Sequence, residues 1–153
     1  MKVFTIIFIS LLSSLVTAEP AKFEQYGFSI DLLDDKPSPA GSQPLQMFLP
    51  PSNGFAANVN VQIQAYPGSI DDYIKLSEAQ FKQMGLTIVS SSKNDDTLHF
   101  EYSGNMNGQN LHFYAKAVKR GSYFYLATAT DSKINWPMNK SKLIQSVNSF
   151  KVP

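Results

Sequence analysis

The residues with most chemistry to offer in this 153-residue chain sit on alternate positions of its second half, where histidines, tyrosines, a lysine and a glutamate recur at strand spacing. Asn107-Gly108 is a strong two-residue hairpin signal. If it is the turn, His99 faces Lys116, Glu101 faces Tyr114 and Ser103 faces His112, all on one side of a sheet. The two histidines then stand four rungs apart, roughly 13 Å at ~3.4 Å per residue, too far to share a metal ion that each must approach to ~2 Å. A further hairpin at Arg120-Gly121 sets Tyr125 beside Lys116, Tyr123 beside Val118 and Ala127 beside Tyr114. The candidate binding face is therefore His99, Glu101, His112, Tyr114, Lys116, Tyr123 and Tyr125. Tyrosine rings offer apolar area and a hydroxyl together, which suits recognition rather than catalysis. The same face would also suit a covering C-terminal helix or the Pro-rich loop.

Other chemistries find no footing. The chain holds no Cys, so disulfides, thiolate metal sites, a cysteine nucleophile and a lipid-bearing N-terminal Cys are all excluded. No nucleophile elbow, P-loop, dinucleotide fingerprint or His-Glu-x-x-His occurs, and no catalytic residue, metal or cofactor is assigned. The pairs Asp34-Asp35, Asp71-Asp72 and Asp95-Asp96 lack the spaced carboxylates of a calcium loop and read as turns and caps. Asn139-Lys140-Ser141 is a glycosylation sequon only in a cell that glycosylates. Thirteen basic residues stand against twelve acidic ones, and the balance is even once Lys2 is set aside. Such a chain is a poor partner for nucleic acid or an anionic bilayer, where affinity comes from clustered positive charge.

The elements that must carry these residues follow from periodicity. Phe23 to Leu33 alternates as a strand entering the core, and the three prolines and the glycine from Asp34 to Pro44 predict a long exposed loop. Leu45 to Leu49 is a short apolar piece ending at Pro50-Pro51. Ala57 to Ala65 alternates strictly, with Val59, Val61 and Ile63 on one face and Asn58, Asn60, Gln62 and Gln64 on the other. Ser69 caps a helix whose stripe is Ile70, Tyr73, Ile74, Ser77, Phe81 and Met84, stopped by Gly85; Phe81 and Met84 are expected in the core. Four strands then form a meander: Leu86 to Ser92, Thr97 to Gly104, Gln109 to Lys119 and Ser122 to Thr130. Its second face collects Leu98, Phe100, Tyr102, Phe113, Phe124 and Leu126 as core. Asn135-Trp136-Pro137 opens a closing helix with Leu143, Ile144 and Val147 inward. The order predicts an α+β domain with a mainly antiparallel sheet.

Lys2, the apolar run opening at Val3, and Val16-Thr17-Ala18 before Glu19-Pro20 read as a signal peptide over 1–18, leaving one domain at 19–153. The run is shorter than the ~20 residues a spanning helix needs, so no stable membrane insertion is expected after cleavage. Phe28-Ser29-Ile30-Asp31-Leu32, the Val59–Ala65 strand running through Tyr66-Pro67-Gly68 into Ser69-Ile70-Asp71-Asp72-Tyr73, the meander and Ser149-Phe150-Lys151 together resemble the PsbP-like fold, which includes the bacterial DcrB-like envelope proteins. The resemblance covers residues 23–151. It implies an α/β/α sandwich serving as a non-enzymatic binding or assembly module, periplasmic or secreted, with an envelope protein as partner. A small-molecule carrier with a pocket on the tyrosine-rich face, or a hydrolase with an unfamiliar site, are the alternatives. Intact-mass measurement of the exported protein should find an N-terminus at Glu19; recovery of Met1 in the membrane fraction would refute cleavage.

Overall fold

The computed structural model describes residues 20–23, 27–30 and 42–153. The chain divides into two units, Met1–Lys36 and Pro37–Pro153. The leader read at 1–18 and the proline-rich stretch from Asp34 to Gly41 lie outside the described residues.

In the first unit the expected single strand is instead two short ones, β1 (Ala21–Phe23) and β2 (Phe28–Ile30), paired antiparallel with Phe23 opposite Phe28. Gly27, at φ 73°, supplies the left-handed residue of the reversal. Phe28 and Ile30 are 52% and 60% exposed, so they do not enter a core as the alternation suggested.

The second unit is built on six antiparallel strands: β3 (Ser42–Phe48), β4 (Asn58–Ala65), β5 (Thr87–Asn94), β6 (Thr97–Met106), β7 (Gln109–Arg120) and β8 (Tyr123–Ser132), in the spatial order β3-β4-β8-β7-β6-β5. β3 starts three residues earlier than the apolar pattern indicated. Pro44 is tolerated there because β3 is an edge strand with a bulge between Ser42 and Leu45, where a missing N–H costs no ladder bond.

The Asn107-Gly108 turn has positive φ at both residues and fixes β6 on β7 in the expected register, His99 to Lys116 and Ser103 to His112. The next turn is displaced by one residue from the sequence reading. Arg120 pairs with Tyr123, leaving Gly121 and Ser122 as the turn, so Lys116 faces Ala127, Val118 faces Tyr125 and Tyr114 faces Ala129. Gly121 takes the left-handed φ of 54° that the long Arg120 side chain would adopt only with strain. The pairing sum changes by two, so every side chain keeps its face.

Each face carries one helix. The first, α1 (Ile70–Gln83), begins at Ser69, whose Oγ accepts from the Asp72 backbone N–H at 3.1 Å and donates to Asp72 Oδ2 at 2.6 Å. That bond holds the Asp72 carboxyl below its ordinary range. Tyr73 lies flat on Phe124 at 3.8 Å and Phe81 on Tyr102 at 4.2 Å, placing α1 over the face formed by Leu98, Phe100, Phe113 and Phe124. Gly104 permits the close approach behind it, since a Cβ there would meet the Leu86 side chain at 2.7 Å. The second helix, α2 (Trp136–Ser149), packs Trp136, Leu143 and Val147 on Val59, Ala127 and Ala129 of the opposite face. Among the described residues no helix is long and apolar enough to cross a membrane.

Phe124 is fully buried between Tyr73 and the β8 ladder. Phe124→Ala should cost about 3–5 kcal/mol in urea unfolding. A loss below about 1 kcal/mol would contradict the assigned faces.

Candidate functional site

The tyrosine-rich face lies on the α2 side, and α2 engages part of it. His112 stacks on Trp136 at 4.2 Å, and its Nε2 lies 2.7 Å from Glu101 Oε1. The Tyr114 hydroxyl donates to Asn148 Oδ1 at 3.1 Å. The Lys116 ammonium donates to the carbonyls of Phe150 at 2.8 Å and Asn148 at 3.3 Å, placing a cation on the negative end of the helix. His99, Tyr123 and Tyr125 are half-buried beside this contact. Burial and then the Lys116 charge hold the His99 imidazole below its ordinary 6.5. The fold thus disfavours the imidazolium, and His99 costs the protein stability as pH falls below about 6.5.

Other described acidic residues have structural partners. Lys93 Nζ reaches Asp71 at 2.6 Å, and Arg120 pairs with Asp96 across the turn between β5 and β6. Asp131, fully buried, accepts from Asn139 Nδ2 at 2.9 Å and from the Ser132 N–H, so the sequon asparagine has a structural duty at the start of α2.

The other face holds a concavity of about 400 Å³ that the sequence reading did not assign. Strand register builds it. Asn60 stands opposite Thr128 and Gln62 opposite Leu126, while Ala115 and Ala117 continue those rows on β7 to Phe100 and Leu98 on β6. The amides of β4 and hydroxyls of β8 form one wall; Phe81, Met84 and Gln80 of α1 form the other, and the alanines leave depth between them. Tyr73 closes one end by donating to Gln64 Oε1 at 2.8 Å, and Gln64 in turn donates weakly to Gln62 Oε1 at 3.5 Å. Met84, expected in the core, is 47% exposed at the rim. The clue in the sequence was the amide row of β4, set there on the face opposite Val59, Val61 and Ile63.

Among the described residues no charged side chain lines this cleft. Burial pushes the Tyr102 phenol up to about 12 and raises that of Tyr73 as well, so both remain neutral hydroxyls. Neither phenol can serve as a base near neutral pH. The lining can donate and accept hydrogen bonds and cover hydrocarbon, and among the described residues it carries no His, Asp or Glu.

Among solved structures, a Pseudomonas aeruginosa protein of unknown function aligns with TM-score 0.66 at 12% identity, over 88% of this chain and 96% of its own. The solution structure of cyanobacterial PsbP from Synechocystis aligns at 0.47 and 16% identity, over 63% and 68%. LpqN, involved in cell envelope biogenesis of Mycobacterium tuberculosis, aligns at 0.37 and 19% identity, over 74% and 81%. The fold correspondence rests on the first of these. No family model and no curated protein sequence matches the chain.

Lys116→Met removes two charge-assisted bonds to α2 and should cost about 1–2 kcal/mol of stability. It also removes a charge repelling the His99 proton, so the NMR titration of His99 should move up toward its ordinary value; an unmoved titration would show that Lys116 does not act on the ring.

Proposed function

We propose that this chain is a non-enzymatic binding module of the bacterial envelope, working in the periplasm or outside the cell. The sequence supports the compartment through the leader read at 1–18. The observation that supports binding is the cleft beside α1, of a size that small-molecule sites favour and walled by groups that hold a molecule without transforming it. This moves the small-molecule pocket from the tyrosine-rich face to the phenylalanine-rich one. The tyrosine-rich face, with His99, Tyr123 and Tyr125 half-buried, is then the surface for a partner protein.

The test is an NMR titration of the labelled exported chain with the low-molecular-mass fraction of an envelope extract. Shifts should cluster on amides of β4, β8 and α1 while the extract's composition stays constant. Consumption of a component would show an enzyme, and shifts confined to the surroundings of Tyr114 and Tyr125 would return the small-molecule site to the α2 face.

A further inference from the structure

The lining of the cleft restricts what it can hold, and the argument rests on the binding reading above. An anion or cation entering it would lose hydration with no opposite charge to meet it, because none of the lining residues is ionised. A bare hydrocarbon is equally unsuited. Asn60, Gln80, Thr128 and Thr130 make no side-chain hydrogen bond to other described residues, and no buried side-chain polar atom among the described residues lacks a partner, so their free groups are open to solvent inside the concavity. An alkyl chain would strip that water and replace nothing. The occupant must be uncharged, rich in hydrogen-bonding groups along one edge and apolar on another side, since Phe81 and Met84 offer only hydrocarbon and thioether.

A pyranose ring has this division: hydroxyls around its rim and C–H bonds on its face. A carboxamide presents a donor beside an acceptor and so matches a pair of adjacent hydroxyls. The amides of Asn60 and Gln62 point to one side of β4, with Thr128 on the neighbouring strand. On β3, Phe48 carries the same face outward next to Asn58 and is 61% exposed, an aromatic surface against which a second ring could lie. We propose that the cleft between α1 and β4 binds a neutral saccharide of one or two rings, its hydroxyl edge on the amides and threonines and its C–H face against Phe81 and Met84. The sugar comes either free or as the exposed end of a longer glycan.

Isothermal titration of the exported chain with maltose, cellobiose and N,N′-diacetylchitobiose tests this, with glucuronate and glucose 6-phosphate as charged probes and 1-octanol as an apolar one. At least one neutral sugar should bind and shift the amides of Gln62 and Thr128, and both anions should fail. Asn60→Ala and Thr128→Val, which remove polar groups that bond no other described side chain, should each weaken that sugar about three- to tenfold with little change in melting temperature. Affinity that rises with oligosaccharide length supports a glycan end, and affinity that does not supports a free sugar. Binding of glucose 6-phosphate or octanol in preference to every sugar would overturn the proposal. So would a bound sugar indifferent to both variants. If the envelope extract shifts the cleft amides and no sugar does, the saccharide is wrong and the binding reading stands; if neither shifts them, both fall.

Discussion

One helix cannot cover six strands. Strands spaced ~4.8 Å apart make this sheet about 24 Å wide, whereas a helix with its side chains is about 10 Å across and shields roughly two of them. Among the described residues each face carries a single helix, and the two are offset. The stacks of Phe81 on Tyr102 and Tyr73 on Phe124 draw α1 across the β6-to-β8 region, while α2 lies on Val59, Ala127 and Ala129 of β4 and β8. What each helix leaves bare must be polar. On the α1 side that strip is the amide row of β4, and on the α2 side it is the β6 region carrying His99 and Glu101. Both candidate surfaces are consequences of the same mismatch in width.

The position of α2 is set by polar ties more than by its own ends. Its N-terminus has no side-chain cap of its own, because the Asn135 side chain is spent on Ser52 and Asn53 of the loop between β3 and β4. Asp131 and Asn139 fix the first turn, His112 lies under Trp136, and Lys116 holds the last carbonyls. Groups that looked in the sequence like a recognition surface are thus partly the means by which a helix is oriented. A lysine that can reach carbonyls at a helix C-terminus satisfies acceptors that would otherwise face only water.

Much of this was legible in the sequence, and the reasons are local. Asn107-Gly108 dictates a turn with two positive φ values and so the whole β6–β7 register, and the strict alternation of β4 announced a two-faced strand. The β7–β8 register slipped by two because Arg120-Gly121 and Gly121-Ser122 both place a glycine in the turn, and only the strain on Arg120 decides between them. The faces survived that error because parity did. The cleft was not legible for another reason. Asn60 and Gln62 were correctly read as opposite to Val59 and Val61, but which face of the meander they would join depends on the β4–β8 pairing, a contact between segments some 65 residues apart. Nothing in the local pattern encodes it.

The uncharged lining of the cleft is also a statement about where the charges went. Twenty-five Asp, Glu, Lys and Arg residues are distributed along the chain, and several near the sheet are drawn into caps, turns and the α2 face: Asp71 with Lys93, Asp96 with Arg120, Glu101 with His112, Lys116 with helix carbonyls. Each of these has a local partner that offsets the loss of hydration, and no described charge projects into the hollow beside α1. Without a field to steer an ion toward it, association there depends on diffusion and on the fit of hydrogen bonds. A site of this kind selects by the pattern of donors and acceptors, because an amide left facing a mismatched group forfeits the water it gave up. If the cleft binds as proposed, its discrimination between similar neutral molecules resides in the β4 amides and the β8 threonines that α1 leaves open.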